Sequence, residues 1–353
     1  MVTRFLLGTF EAGFFPGVVF YITMWYKRSE QNYRVGLLFS GATIAGAFGG
    51  LLGYLVMDLN GKYGLSGWQW IFLIDGSVTV VAAIIAYFTI LDFPQTAKWL
   101  SESERKLALQ RLQHDTGSLI TNNFRVDQIM IAVRDWKVWI STFIFMGIVA
   151  GTYSFSFFIP TIVHGMGFTP VISQLLTAPP FICGSVTTIS TAILSDKIRN
   201  RALFLTSFLT FTMCGYLLLI IPGASTAVKY LGTCVIGLGL FPCVSISITW
   251  LTSNMAGDLK RAVGSAIMLS VGNIGGVIAS QMYQSKDSPD YRIGNTIALC
   301  FLMMSTVLVS IQHQRLKKEN ERKIRDPGQY LKGKSEEEIG NLGDIHPEFI
   351  YNL

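Results

Sequence analysis

Three charged side chains lie inside long apolar stretches of this sequence: Arg4, Glu11 and Asp75. A charge at the centre of a bilayer costs about 2.5–3.5 kcal/mol even on lenient insertion scales, so each of these residues needs a reason to be there. Arg4 and Glu11 are separated by about two helical turns, so on a helix they share one face. We predict that this face is the polar wall of a cavity.

The chemistry available to this pair is the binding of an anion and the movement of a proton. The guanidinium of Arg4 is a planar fork that suits a carboxylate, and a partly desolvated Glu11 can accept and release a proton. The structural alternative is that Arg4 reaches the outer membrane surface and Glu11 pairs with it. For Asp75, we expect a role in helix packing or in a hydrogen bond.

Three uncharged polar residues are further candidates for the same cavity. Tyr153 and Ser156 lie in the segment YSFSFFIP, and Asn273 lies in SVGNIGG. An amide inside a membrane helix either bridges two helices or meets a ligand, and the sequence leaves both open. The glycine runs GATIAGAFGG and SVGNIGG resemble phosphate-binding loops, but small residues in membrane helices usually permit close helix contact, so we expect packing there.

The elements that must position these residues are membrane-spanning helices. Half of the 353 residues are hydrophobic and 14% are charged, whereas a soluble domain usually has about 25% charged residues. Apolar runs of roughly 20 residues, the length that crosses the hydrocarbon core as a helix, are much longer than barrel strands. We therefore predict an all-α membrane protein with nine spanning helices, at about 2–25, 35–57, 69–91, 138–160, 171–195, 202–221, 228–252, 262–284 and 293–312.

The distribution of basic residues predicts the orientation of these helices. If the first run descends into the cytoplasm, 23 of the 28 lysines and arginines fall on cytoplasmic loops, in the linker at 92–137 or in the C-terminal tail. Such an excess is typical of the cytoplasmic side, so the net charge of +6 does not require nucleic acid as a partner. We expect a cytoplasmic C-terminus and location in the plasma membrane.

An internal repeat relates two parts of the chain. Parallel repeats are typical of transporters with two related six-helix halves. On this basis the last six runs form one whole half, and the first three correspond to helices four to six of the other. We accordingly expect that roughly 90 upstream residues with three helices are missing. An ungapped shift of 226 residues superimposes Gly13 on Gly239, Phe15-Pro16 on Phe241-Pro242, Gly46 on Gly272, and Gly49-Gly50 on Gly275-Gly276.

These patterns divide the chain into four parts. We expect a partial N-terminal bundle of three helices at 1–91 and a complete six-helix bundle at 138–313. A cytoplasmic linker at 92–137 joins them, and a cytoplasmic tail follows at 314–353. Within the linker, Ser101 and Glu104 have the spacing of a capping box and predict the start of an amphipathic helix. No residues have the spacing of a catalytic or metal site, so we expect no enzyme activity, cofactor or metal.

Several motifs carry a resemblance to a known family. RFLLGTFEAGFFPG, WYKRSEQNYR, GWQWIFLIDG and LSDKIRNR resemble the anion:cation symporter family of the major facilitator superfamily. The ending LGDIHPEFIYNL is similar to the fungal allantoate permease group, and most closely to its nicotinic acid permeases. This resemblance implies a major facilitator-type fold in which the nine helices are equivalent to helices 4–12 of twelve. It also implies that Asp196, Lys197 and Arg201 are the second copy of the superfamily's loop signature and gate cytoplasmic closure.

The residues and the resemblance together predict a proton-coupled importer of a small carboxylate such as nicotinate. Arg4, Tyr153, Ser156 and Asn273 would bind the substrate, and Glu11 would couple its movement to protons. Allantoate, pantothenate or another organic anion is the alternative substrate. An alternative of another class is a non-transporting remnant, in which an incomplete bundle folds without alternating access. The expected partners are the substrate, protons and the lipid bilayer.

Overall fold

The computed structural model describes residues 2–27, 30–56, 59–97, 99–116, 126–198, 200–288, 290–333 and 342–353. Within these ranges the chain is helical and contains no β-strand, as the long apolar runs predict. The α-helices are α1 (Val2–Glu11), α2 (Phe14–Trp25), α3 (Gln31–Val56), α4 (Gly67–Thr89), α5 (Glu102–Thr116), α6 (Val126–Arg134), α7 (Trp136–Gly165), α8 (Pro170–Leu175), α9 (Ala178–Ile198), α10 (Arg201–Ile220), α11 (Thr226–Ser253), α12 (Asp258–Gly272), α13 (Ile274–Ala279), α14 (Arg292–Arg325) and α15 (Gly328–Leu331).

Nine helical segments in the described ranges are long and apolar enough to cross a membrane, which confirms the predicted set. They comprise α1–α2, α3, α4, α7, α8–α9, α10, α11, α12–α13 and α14. We call the first three the N-terminal spans and the last six the C-terminal bundle. The chain is therefore a multi-pass integral membrane protein, and α14 continues to Arg325, beyond its predicted end at 312.

Proline divides two of the predicted runs into shorter helices. Pro16 has no N–H to donate to the carbonyl of Ala12, and α1 ends just before that point, at Glu11. Pro179 and Pro180 likewise cannot continue α8, but they fit the first turn of α9, where N–H groups have no intrahelical acceptor. A third predicted run is divided at Asn273, which separates α12 from α13.

Pro242, the repeat equivalent of Pro16, lies inside α11 without ending it. A proline at this position leaves the carbonyl of Leu238 without its usual helical donor. The hydroxyl of Thr187 in α9 donates to that carbonyl at 2.9 Å. A side chain from the neighbouring helix thus satisfies the backbone, and α11 remains one helix.

Small residues hold the C-terminal bundle together. A Cβ added at Gly147 would lie 2.6 Å from the carbonyl oxygen of Phe301, and one added at Gly215 would lie 2.8 Å from that of Gly232. Such distances leave no room for a side chain, so α7 meets α14, and α10 meets α11, backbone against backbone. This is the packing expected between membrane helices, where close approach replaces the hydrophobic driving force.

The N-terminal spans meet the C-terminal bundle mainly along α3, which lies beside α9. Gly46 of α3 receives the ring of Phe181, and Gly50 receives the side chain of Thr177. The hydroxyl of Ser185 donates to the main-chain oxygen of Ser40 at 3.3 Å across the same boundary. The packing role predicted for the glycine run is confirmed at Gly46 and Gly50, and the boundary positions the candidate site.

Candidate functional site

Glu11 is the last residue of α1, and its side chain is exposed. A carboxylate at a helix C-terminus is opposed by the negative end of the helix dipole, so helix stability does not explain its position. The sequence predicts a partly desolvated Glu11, whereas the structure leaves this residue exposed. Glu11 nevertheless lies within electrostatic range of Tyr153 in α7. The helix that follows it, α2, packs against α12, so Glu11 lies near the boundary between the two sets of helices.

Tyr153 forms an aromatic surface with Phe157 on one face of α7. Their ring centroids are 5.3 Å apart, and 38% of Tyr153 and 55% of Phe157 remain exposed. Residues four apart lie on the same helix face, which explains the pairing. The ring of Tyr153 lies against Gly276, where an added Cβ would come within 2.6 Å of it. Because Gly276 has no side chain, the ring can pack directly against that helix.

Asn273 lies close in sequence to the glycine that packs against Tyr153. It is exposed at the break between α12 and α13, and its main-chain carbonyl accepts the N–H of Gly276 at 2.9 Å. The backbone turn at Asn273 thus places this residue about one helical turn before Gly276. Ser156, one helical turn beyond Tyr153, is partly exposed. The structure brings Glu11, Tyr153 and Asn273 to one region at the boundary.

The other two charged residues that the sequence places inside apolar runs are Arg4 and Asp75. Arg4 belongs to α1, but its side chain lies outside the described part of the chain, so only its helical position is known. Asp75 is exposed on α4, a helix that has no buried residue. Its main-chain oxygen accepts the hydroxyl of Thr79 at 2.7 Å. That bond lies within α4 and does not connect Asp75 with Glu11.

Asp196 joins the two sets of helices at the other end of α9. Its carboxylate accepts the main-chain N–H of Tyr33 at 3.0 Å and lies 3.6 Å from the guanidinium of Arg201. Tyr33 lies in the first turn of α3, where N–H groups have no intrahelical acceptor and the helix dipole is positive. A single carboxylate therefore caps α3 and pairs with Arg201 at the start of α10.

The rest of the LSDKIRNR motif divides into a buried and an exposed part. Arg201 is buried, and its guanidinium donates to the carbonyl of Thr249 and, at 3.0 Å, to the hydroxyl of Ser253. Lys197 is exposed and lies on the surface of α9. Of the three predicted gate residues, Asp196 and Arg201 are in contact with each other.

The sequence prediction missed two groups of residues at this end of the molecule. The first is Tyr33, whose main-chain N–H donates to Asp196. A main-chain donor leaves no trace in residue type, and the available signal was the start of an apolar run, where free N–H groups need acceptors. The second group surrounds Asp344, which is 1% exposed between Lys137 and Lys260. The feature of the sequence that could have indicated this group is the presence of apolar and aromatic residues in the ending LGDIHPEFIYNL.

Comparisons with known proteins show that the chain is similar to proteins of a transporter superfamily. The profile of the Major Facilitator Superfamily matches residues 1–280. The MFS transporter prlL of Fungal sp. (strain NRRL 50135) is 36% identical over 272 residues, covering 77% of this chain and 54% of that protein. The uncharacterized transporter C1002.16c of Schizosaccharomyces pombe is 32% identical over 323 residues, covering 92% of this chain and 64% of that protein. The chain thus spans less than two thirds of the length of these two relatives.

A solved structure shares the fold. The proton:xylose symporter XylE, bound to 6-bromo-6-deoxy-D-glucose, superimposes with a TM-score of 0.64, covering 84% of this chain and 66% of that protein. The sequence identity is 16%, so the likeness concerns the arrangement of helices. It agrees with the predicted major facilitator-type architecture.

Proposed function

The chain belongs to the Major Facilitator Superfamily, and we propose that it carries a small organic anion across the membrane together with protons. The observation that supports this most is the position of Glu11, which lies near the boundary between the two sets of helices and within electrostatic range of Tyr153. In transporters built from such repeats, substrate and coupling ions bind between the two halves, which rock against each other. A carboxylate at this boundary is suited to changing its proton occupancy as the halves move.

The substrate we propose is a nicotinate-like carboxylate. Arg4, on the same helix as Glu11, would bind the carboxylate group through its guanidinium fork. Tyr153 and Phe157 offer exposed rings against which a flat aromatic ring can stack, a contact worth about 0.5–1.5 kcal/mol beyond the buried area. Ser156, partly exposed one helical turn beyond Tyr153, and Asn273, exposed near Gly276, would supply hydrogen-bonding groups. Allantoate, pantothenate or another organic anion is the alternative substrate.

Coupling to protons would cancel the electrical work of moving an anion into the cell. Moving one negative charge against a potential that is negative inside costs about 2.3 kcal/mol per 100 mV. One proton carried with each anion makes the movement electrically neutral, and a gradient of one pH unit then supports about tenfold accumulation. Protonation of Glu11 would be the step that links proton and anion binding.

Asp196, Lys197 and Arg201 are proposed as the cytoplasmic gate, with the C-terminus on the cytoplasmic side and the protein in the plasma membrane. The support for this role is the contact of Asp196 with the N–H of Tyr33, because it joins the N-terminal spans to the C-terminal bundle. Rocking of the halves would break and re-form such a contact in each cycle.

Uptake of labelled nicotinate by cells that lack their own carrier tests the proposal. We expect accumulation to rise about tenfold per unit of imposed pH gradient. Glu11→Gln should abolish this dependence because glutamine cannot take up a proton. Asp75→Asn, the same acid-to-amide change at the other predicted intramembrane carboxylate, is the matched control and should keep it. Equal pH dependence in Glu11→Gln and wild type would refute the coupling role.

The same assay separates the alternatives. Uptake of allantoate or pantothenate in place of nicotinate would reassign the substrate and retain the transport mechanism. Absence of uptake for all three anions, with the protein present in the membrane, would favour a non-transporting remnant.

A further inference from the structure

The segment 342–353, which we call the docked tail, lies against one end of the C-terminal bundle. At this end α7, α10 and α12 begin and α11 and α14 end. The carboxylate of Asp344 is 1% exposed and forms ion pairs with Lys137 and, at 2.7 Å, with Lys260. Asp135 pairs with the same two lysines, at 3.2 Å and 2.7 Å. Two carboxylates and two ammonium groups thus alternate in a closed, buried cluster.

Burial of these charges makes the contact specific. Removing a charge from water is unfavourable unless a partner of opposite sign compensates it. Burial alone would raise the pKa of Asp344, but the ammonium groups of Lys137 and Lys260 hold it below its usual value. Asp344 is therefore negatively charged when the tail is docked. If the tail undocks, Asp135 is the remaining acidic partner of the two lysines in this cluster.

Lys323, near the end of α14, fixes the fold of the docked tail. Its ammonium group donates to the main-chain oxygens of Asp344 at 2.7 Å and Phe349 at 2.8 Å. It also lies 4.1 Å from the ring centroid of Tyr351, within cation–π range. The hydroxyl of Tyr351 donates to the main-chain oxygen of Asp344 at 2.7 Å. The tail is thereby held in a compact turn over α14.

Two asparagines bind the last part of the tail by its main chain. The amide of Asn320 donates to the oxygen of Tyr351 and accepts its N–H, both at 2.9 Å. Asn254 donates to the oxygen of Asn352 at 2.9 Å and accepts its N–H at 2.7 Å. Such two-way pairing resembles the pairing of adjacent β-strands and recognises an extended backbone. The main-chain oxygen of Leu353 then accepts the N–H of Arg201.

The contact with Arg201 connects the docked tail to the boundary between the two sets of helices. The side chain of Arg201 pairs with Asp196, and Asp196 accepts the N–H of Tyr33 in α3. A continuous series of polar contacts therefore runs from Leu353 to the N-terminal spans. The tail also binds Lys137 of α7, Trp250 of α11, Lys260 of α12 and Asn320 of α14, all in the C-terminal bundle.

We propose that residues 342–353 are an intramolecular clasp that ties the helix ends of the C-terminal bundle together and keeps Arg201 and Asp196 positioned to hold Tyr33. The clasp stays docked while the bundle moves as one body, because its anchoring contacts lie within that bundle. Its loss loosens the contact between Asp196 and α3. This assignment concerns the conformation of the chain and does not depend on which substrate is carried.

Amide hydrogen exchange of the full chain, followed by mass spectrometry, tests the clasp. The variant Asp344→Asn removes the charge that holds the two lysines, and Glu348→Gln makes the same type of change at an exposed tail residue. In Asp344→Asn we expect exchange on the order of tenfold faster in the tail, at the first turn of α10 and at Tyr33. Glu348→Gln should match wild type, and peptides from the buried middle of α11 should stay protected in all three.

Asn254→Ala is a second variant that leaves no buried charge unpaired, so it remains informative if Asp344→Asn does not fold. It removes both hydrogen bonds to Asn352 and should speed exchange in the same three places. Faster exchange in the tail with unchanged exchange at Tyr33 would overturn the link to the boundary. Unchanged exchange in the tail of both variants would overturn the clasp itself.

Discussion

Apart from Arg201, the buried charges of this protein lie elsewhere than the charges that the sequence analysis singles out. Six charged residues in the described part of the chain are buried, and the side chain of Asp135 is buried beside them. The six are Lys137, Arg201, Lys260, Arg261, Lys323 and Asp344. All six are at the end of the bundle that binds the docked tail, or in the tail itself, and each meets an opposite charge or main-chain oxygens. Glu11 and Asp75, placed inside apolar runs, are exposed in the structure.

This difference has a physical reason. Lysine and arginine at helix ends are expected on the cytoplasmic side of a membrane protein whether or not they are buried. Lys137 and Lys260 therefore contributed only to the predicted orientation. Their burial depends on Asp344, which follows them by 207 and 84 residues. A contact of this range has no local pattern, so the sequence predicted the candidates at Glu11 and Tyr153 but missed the cluster.

Asp344 gives a prediction about pH. Because its pKa in the folded protein is held below the usual value, its contribution to docking is complete above about pH 4, the range of an ordinary carboxyl group. That contribution is lost as the pH falls through the lower value of the folded protein. We expect protection of the tail amides, corrected for intrinsic exchange, to be constant between about pH 5 and 8. Loss of protection within that interval would show that a different group controls docking.

At the scale of helices, the length of the apolar runs predicted the nine spans. Two of the interruptions of helices within those spans depended on backbone hydrogen bonds near prolines. Pro16 and Pro242 occupy equivalent places in the repeat, but only the helix with Pro242 has Thr187 to satisfy the exposed carbonyl. The sequence contains both prolines and the threonine, but the threonine lies 55 residues before Pro242, in another helix. At Pro242, the group that satisfies the freed carbonyl is thus a neighbour that is distant in sequence.

The repeat also supplies a matched test of glycine packing. Gly49 and Gly275 are equivalent at the 226-residue shift, but a Cβ at Gly49 meets open space, and one at Gly275 would clash with the backbone of Met146 and Ala150. Gly275→Ala should therefore destabilise the protein by about 1–3 kcal/mol through overpacking. Gly49→Ala should be neutral or stabilising by up to about 1 kcal/mol, since alanine favours helices. Unfolding in detergent measures both.

Equal effects of the two substitutions would contradict the packing account of these glycines. A loss of stability confined to Gly49→Ala would contradict it most strongly, because the structure places open space there.

At the scale of the whole molecule, two sets of helices share a boundary with polar contacts at both of its ends. Glu11 lies within electrostatic range of Tyr153 near one end, and the carboxylate of Asp196 accepts the N–H of Tyr33 near the other. A transporter with a central site needs such contacts to form and break alternately. The fold followed from composition and apolar length, but the pairing across this boundary followed only from the three-dimensional arrangement.

Proton movement in liposomes that contain the purified chain tests the central claim most directly. A pH-sensitive dye inside the vesicles would record protons that enter when nicotinate is added outside. We predict acidification faster than in protein-free vesicles, which correct for passive entry of the protonated acid, and no such excess with Glu11→Gln. Acidification by Glu11→Gln at the wild-type rate, or none beyond the protein-free level with folded wild-type protein, would contradict proton-coupled anion transport through this site.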